Sequence, residues 1–248
     1  MLSFIIPAHD EAAQIGATLD AVHAAAQALG CGYEIVVVDD ASTDATAAIA
    51  ITHGARMETV AFRHIAATRN AGARAARFER LVFVDADTRI TPDVLAAAVA
   101  ALEAGAVGGG AAVRLEGERR WAIRLITAAM MQVFRWTRIA PGCFVFCRRD
   151  AFEAVGGFDE RLFAAEDIAL SRALAGRGEF VILRQAVFTS NRKVSTLAGL
   201  RAHARLVAHF LRAGPRVLQS REHLDLWYEK KARGDEPARR QQSDNADL

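Results

Sequence analysis

Cysteine is scarce in this chain, and its charges nearly cancel. The three cysteines, Cys31, Cys143 and Cys147, supply neither an even disulfide framework nor a paired C-x-x-C, which excludes a stapled secreted scaffold and a zinc module. That usage implies a reducing, cytoplasmic compartment. A formal charge of +2 is too small to attract nucleic acid, so any basic contact must come from local clustering. Long apolar runs are missing as well. The start, Met1 to Pro7, has no basic n-region and is too short for a signal peptide. The most apolar window, residues 94–113, contains Glu103 and the run Gly108-Gly109-Gly110 and follows a helix-start signal, so it reads as a helix, a turn and a strand. No internal repeat is visible, and the histidines lack metal-ligand spacing.

What is present is an ordinary globular composition, 52% hydrophobic and 24% charged over 248 residues. That length suffices to bury roughly 70% of the unfolded surface in one large α/β domain or two small ones. Residues 2–6 read as a short strand stopped by Pro7, followed by a helix over 12–29. Residues 34–38 form a second strand, 44–54 a helix and 57–62 a third strand. Thr68-Arg69-Asn70-Ala71-Gly72 opens the next helix, and Thr91 caps another with Pro92 at its first position. This β-α-β-α alternation predicts parallel strands joined by right-handed crossovers. Strands at 111–115 and 142–147 follow, separated by a long helix over 119–138. A short helix begins at Ala151, another at Glu166, and closing strands lie at 180–183 and 186–188. Residues 197–211 have helical apolar spacing, and 231–248 lack large apolar residues before Leu248, as in a disordered tail.

The chain is organised around Leu81-Val82-Phe83-Val84-Asp85-Ala86-Asp87. Four consecutive apolar residues mark a strand covered on both faces. Two acids one residue apart then fall at its C-terminal end, the edge of an open α/β sheet where ligands bind. Asp-x-Asp there offers hard oxygen ligands for a divalent cation, which can in turn hold a diphosphate. Two loop acids solvating a strand end are the plainer reading of the triplet alone. Further acids accumulate at the same edge, namely Asp39-Asp40 after the second strand and Glu166-Asp167 at a helix start.

This ordered set resembles the family-2 glycosyltransferases of the GT-A fold. The matching text is Phe4-Ile5-Ile6-Pro7-Ala8-His9-Asp10-Glu11, Val37-Val38-Asp39-Asp40-Ala41-Ser42-Thr43-Asp44, Arg69-Asn70-Ala71-Gly72, Asp85-Ala86-Asp87, Gly156-Gly157-Phe158-Asp159-Glu160 and Glu166-Asp167-x-x-Leu170, spanning residues 2–185. The resemblance implies a mixed, largely parallel Rossmann-like sheet flanked by helices. It implies one domain over 1–230, with a nucleotide-binding half at 1–90 and an acceptor half at 91–230. It further implies an inverting enzyme that uses a nucleoside-diphosphate sugar and Mg²⁺ or Mn²⁺. Asp87 matches the metal ligand, with Asp85 and Ala86 beside it and Asp85 assisting through the ribose or a metal-bound water. Asp40 matches the group that hydrogen-bonds the base, with Asp39 in support. Pro7, Ala8 and Glu11 would line the nucleoside pocket, with Arg69 beside the nucleotide. Asp167 matches the general base, and Glu166 is the next candidate.

Plainer roles exist for several of these. Asp44 and Glu166 suit helix caps, Arg69 a surface arginine, and His9 a solvated side chain. Gln132-x-x-Arg135-Trp136 spells a motif of processive synthases but precedes the Glu-Asp pair instead of following it, so ordinary helix composition explains it. Thr189-Ser190-Asn191-Arg192-Lys193 stands where some relatives carry a histidine. A sugar nucleotidyltransferase is disfavoured because no glycine-rich loop follows the first strand. A receiver domain is disfavoured by length, and a non-catalytic nucleotide-binding scaffold by retention of the acids. Projected at about 100° per residue, Arg120, Arg124, Arg135 and Arg138 share one sector, opposite Leu125, Ile126, Ala129, Met130, Val133 and Trp136. Arg201, Arg205 and Arg212 align in the same way. Such stripes suit either a solvated face or peripheral contact with an anionic membrane bearing a lipid-linked acceptor.

Overall fold

The computed structural model of the chain describes residues 1–117 and 121–190, with the backbone alone at 122–124 and 126. The elements in order are β1 (Leu2–Ala8), α1 (Ile15–Leu29), β2 (Tyr33–Asp40), α2 (Thr46–Thr52), β3 (Arg56–Val60), α3 (Ile65–Ala75), β4 (Arg80–Val84) and β5 (Thr88–Arg89). They continue as α4 (Pro92–Glu103), β6 (Gly108–Leu115), α5 (Trp121–Thr137), β7 (Phe144–Arg148), α6 (Arg149–Ala154), α7 (Glu166–Ala175) and β8 (Phe180–Thr189). The strands form a single sheet in the order β3-β2-β1-β4-β7-β6-β8-β5. Neighbours from β3 through β4 are parallel, as are β6 and β8, whereas β7 is antiparallel to both β4 and β6. The mixed, largely parallel α/β sheet expected from the alternation is present.

Both faces of β4 are covered, which explains its unbroken apolar run. Val82 and Val84 join Phe4, Ile6 and Val37 under α1 and α4, while Leu81 and Phe83 join Ile5, Val36 and Val38 under α3, α6 and α7. Thr91 caps α4, its hydroxyl accepting from Val94 N at 3.4 Å, with Pro92 following as expected.

Several local expectations shift. Pro7 lies inside β1 and does not end it. The pairing of β1 with β4 stops at Ile5, so the missing N–H costs no bond on that side. Gly108-Gly109-Gly110 is strand, not turn. Its neighbours leave no room for side chains: a Cβ on Gly109 would lie 2.6 Å from Cζ of its cross-strand partner Phe146 and closer still to Val181 O, and one on Gly110 would meet Ala140. The two closing strands are one, β8, with a register irregularity opposite Ala111 and Ala112, and the two-residue β5 pairs with it. Thr68 to Gly72 lies within α3, which starts earlier at an N-cap on His64.

Helix α5 is turned opposite to the arginine-outward expectation. Met131 is buried and its sulfur accepts from Val113 N on β6 at 3.3 Å. Arg135 is half-buried, whereas Arg138, just past the helix, is exposed as expected; Leu125, Met130, Val133 and Trp136 are also exposed among the described residues. Arg120, the side chain of Arg124, the second stripe at Arg201, Arg205 and Arg212, the helix expected over 197–211 and the tail expected at 231–248 lie outside what is described.

Candidate active site

The C-terminal end of β4 is tied down from three directions. Asp85 N donates to Cys143 O at 3.1 Å, Thr18 Oγ1 of α1 donates to Ala86 O at 2.8 Å, and Ser190 N donates to Asp87 O at 3.2 Å. These bonds hold the backbone, leaving the carboxylates to be placed by their own contacts. Ala86 is buried, and Asp85 and Asp87 are half-buried. The thiol of Cys143 sits close enough to feel both acids: burial first, then Asp85 and Asp87, push its pKa well above the ordinary thiol value. That shift favours the protonated thiol.

Arg69 is the hub of the site. Only 3% of its side chain is exposed, so it is not a surface arginine. One guanidinium nitrogen donates to Glu166 Oε1 at 2.7 Å, and the other to Asp85 Oδ1 at 2.7 Å and to Gly142 O at 2.9 Å. Its planar fork therefore joins α3, the end of β4, the loop before β7 and the start of α7, and its Cζ lies 5.2 Å from the Phe158 ring centroid. Next to it, Asn70 clamps the glycine turn. Its Nδ2 donates to Phe158 O at 2.9 Å and to Glu160 Oε1 at 2.8 Å, and its Oδ1 accepts from Phe158 N at 2.9 Å.

The two acids of α7 divide their roles. Glu166 is buried and engaged by Arg69, so it serves the ion network and not merely a helix end. Asp167 accepts from Ile168 N at 2.8 Å and is raised to about 7, chiefly by burial and then by the charge of Glu166, against the lowering effects of Arg69 and of the Ile168 and Gly142 amides. Gly142 is required here: a Cβ on it would lie 2.8 Å from Asp167 Oδ2. Ala165, just before the pair, holds a left-handed backbone at φ 63°. Neither the Gly142-Cys143 loop nor the clamp made by Asn70 was anticipated from sequence; the Pro141-Gly142 pair is the only local signal for the former.

Beside this cluster, at the ends of β1 and β2, lies the expected nucleoside side. Pro7 pairs in register with Val38, and Ala8 with Asp39. Asp39 Oδ1 accepts from Ser42 N at 3.2 Å. Both oxygens of Asp40 are occupied: Oδ1 accepts from Arg63 N at 2.8 Å, and Oδ2 from His64 N at 3.1 Å and Thr68 Oγ1 at 2.9 Å. Glu11 N donates to Thr46 Oγ1 at 2.8 Å, holding the loop after β1 against α2. Asp44 accepts from Thr46 N at 2.9 Å, the helix-start role expected of it, and also from Ala12 N at 3.1 Å. His9 is not simply solvated, since its Nδ1 lies 2.8 Å from Asp40 O and its Nε2 3.2 Å from Asp10.

The family model for glycosyl transferase family 2 matches residues 3–156. The chain belongs to that family. No curated protein sequence matches it. Among solved structures, it is similar to the mannosyltransferase PcManGT from Pyrobaculum calidifontis in complex with GDP-Man and Mn²⁺, with a TM-score of 0.67, 23% identity and coverage of 88% of this chain and 66% of that one. It is also similar to mannosyl-3-phosphoglycerate synthase from Rubrobacter xylanophilus, with a TM-score of 0.64, 20% identity and coverage of 88% and 74%. A third is glucosyl-3-phosphoglycerate synthase from Mycobacterium tuberculosis with Mn²⁺, UDP and glucosyl-3-phosphoglycerate, with a TM-score of 0.60, 20% identity and coverage of 86% and 79%. The chain spans just under two thirds of PcManGT and 60% of an S. aureus TarS fragment in complex with UDP.

Among the described residues of this family member, no group of three or more His, Cys, Asp or Glu is arranged to hold a metal ion. The hard oxygen donors at the edge are Asp87 and Asp85, the latter with Oδ1 on Arg69. One or two carboxylates completed by substrate phosphates are the usual protein share of a Mg²⁺ site, so this donor set fits a divalent cation that arrives with a diphosphate.

Proposed function

We propose that this glycosyltransferase moves one sugar from a nucleoside-diphosphate sugar to an acceptor hydroxyl with inversion. The observation that supports it most is Asp167, a carboxyl raised to about 7 beside Gly142, within a network that also engages Asp85. A group of that pKa holds a proton or releases it near neutrality, as a general base must. Asp167 takes the acceptor proton as the acceptor oxygen bonds to the anomeric carbon. The bond from that carbon to the phosphate oxygen breaks on the opposite face, and the nucleoside diphosphate leaves with the electron pair. Arg69 keeps Asp85 and Glu166 in place during this step.

Asp87, assisted by Asp85, would hold Mg²⁺ or Mn²⁺. A cation bound there supplies charge neutralisation for the departing diphosphate. Pro7, Ala8, Glu11 and Asp39 would receive the nucleoside, and Asp40 would set the shape of that pocket through the 63–68 segment it binds. The Mn²⁺ and GDP-Man of PcManGT, and the Mn²⁺ and UDP of the M. tuberculosis synthase, support a metal-dependent nucleotide-sugar reading.

The test combines binding with turnover. Calorimetry with UDP and GDP in the presence of Mn²⁺ is expected to show affinity that falls at least tenfold on Asp87→Ala or on adding chelator. Binding unchanged in both cases removes the metal assignment. Asp167→Asn is expected to keep donor affinity while turnover, including donor hydrolysis, drops by about 10²- to 10⁴-fold. Turnover at the native rate places the base elsewhere.

A further inference from the structure

The segment 138–143, between α5 and β7, belongs to no helix or strand, yet its backbone reaches three parts of the site. Cys143 O accepts from Asp85 N at 3.1 Å, Gly142 O accepts from Arg69 at 2.9 Å, and the Gly142 amide is one of two that favour the charged form of Asp167. A segment outside any ladder keeps such a position only where something else pins it. Two contacts do so. On the sheet side, Ala140 is buried against β6, so closely that a Cβ on Gly110 would meet it. On the side of α7, Ala140 N donates to Ser171 Oγ at 3.0 Å, a bond buried at both ends.

Ser171 is otherwise out of place. In mid-helix a serine is a poor helix former whose hydroxyl tends to turn back on its own backbone, and this one is 1% exposed. Four residues after Asp167 on α7, it lies on the same side of that helix. Helix α7 therefore meets the loop at two points one turn apart, the Ser171 hydroxyl at Ala140 and the Asp167 carboxyl at Gly142.

We infer that Ser171 is a positioning residue for the transfer reaction: by taking the Ala140 amide it seats the 138–143 loop where Gly142 reaches both Asp167 and Arg69. The inference rests on the reading of Asp167 as the base. Without that hydroxyl, Ala140 N is left buried with no acceptor, and the loop must shift to find one. The fit is too close to absorb a shift unnoticed, since a Cβ on Gly142 would lie 2.8 Å from Asp167 Oδ2. The charged and titratable groups that face Asp167 stay in place: Glu166 on its own helix, Arg69 from α3 with its two carboxylates, and the Cys143 thiol on the loop. What Asp167 loses is an amide donor. Such a donor favours the charged carboxylate, so its loss drives the group further toward protonation.

The experiment reads Asp167 directly. In protein labelled with ¹³C at the aspartate carboxyl carbons, the Asp167 resonance is the one missing from Asp167→Asn, and its titration is followed in the full chain without donor. Ser171→Ala is expected to move the midpoint up by about one pH unit, the worth of one hydrogen bond to a charged group. The pH dependence of donor hydrolysis is expected to move with it. Should Ser171→Ala not fold, Ser171→Cys, close in size but a weak acceptor, takes its place. Leu174→Val trims a buried apolar side chain of the same helix; it is expected to lower thermal stability and leave the midpoint where it is. A midpoint unmoved by loss of the Ser171 hydroxyl overturns the inference. So does an equal shift in Leu174→Val, which would make the effect a general loosening of α7. A midpoint that moves while the hydrolysis profile stays supports the hold of Ser171 on Asp167 and overturns the base assignment instead, so the two readings fail separately.

Discussion

Arg69 shows how a residue's role depends on what lies far along the chain. Its partner Glu166 is 97 residues away and Gly142 is 73 away, so no local period announces the contacts. From sequence it read as a nucleotide contact or a surface arginine; in the fold it is a buried cation between two carboxylates. Removing one member of such a network leaves the others charged and unpaired, which costs about 3–5 kcal/mol. Arg69→Met is therefore expected to lower the urea unfolding free energy by that amount, and Arg69→Lys to recover only part, because an ammonium cannot span both acids with a planar fork. A loss below about 1 kcal/mol, the worth of a surface pair, would mean that water already solvates Asp85 and Glu166. The acids themselves were legible because Asp85-x-Asp87 and Asp39-Asp40 sit at the C-terminal ends of strands and Glu166-Asp167 at the start of a helix. Their division of labour was not, since the occupied oxygens of Asp40 and the burial of Asp167 come from tertiary packing.

At the scale of elements, the strands and helices of the first half were readable because period and capping agree there. Thr91 and Pro92 are the clearest case. The hydroxyl satisfies one of the free amides of the first turn, so Thr91→Ala is expected to cost about 1 kcal/mol in thermal or urea unfolding, with donor affinity unchanged. A cost near zero would show that water replaces the cap. The misread elements share one cause, tertiary override. Gly108-Gly109-Gly110 carries the composition of a turn, yet it is strand, packed so closely that an added Cβ would meet Phe146 O at Gly108, Val181 O and the Phe146 ring at Gly109, and Ala140 at Gly110. Helix α5 has a clear amphipathic period, but period alone does not say which side faces the sheet. Met131, on the arginine side, is the residue that packs.

For the whole molecule, the pH dependence of stability follows from opposed groups. Asp167 is raised from 3.8 to about 7, so the native state keeps a proton that the unfolded chain has released. Stability then falls as pH rises from about 4 through 7. Glu34 and Asp10 run the other way. Burial raises both, but Ser3, the Arg77 amide and Arg56 outweigh it for Glu34, and Thr43 and His9 do so for Asp10. Each is lowered, and the stability it contributes is present at neutral pH and lost on acidification. The protein is thus most stable at mildly acidic pH, below the range in which a base of pKa about 7 is active. Asp167→Asn fixes the neutral form. It is expected to raise stability already at pH 5, where the unfolded chain has released the proton that the native state keeps, and by about 1–3 kcal/mol more at pH 8, where the native carboxyl has ionised as well. Transfer by the native enzyme is expected to rise through about pH 7 as the same carboxyl ionises. Scanning calorimetry at the two pH values, set beside the rate profile, checks both expectations. An equal effect of the substitution at pH 5 and pH 8 would show that the fold does not raise Asp167, and its assignment as base would lose its physical ground.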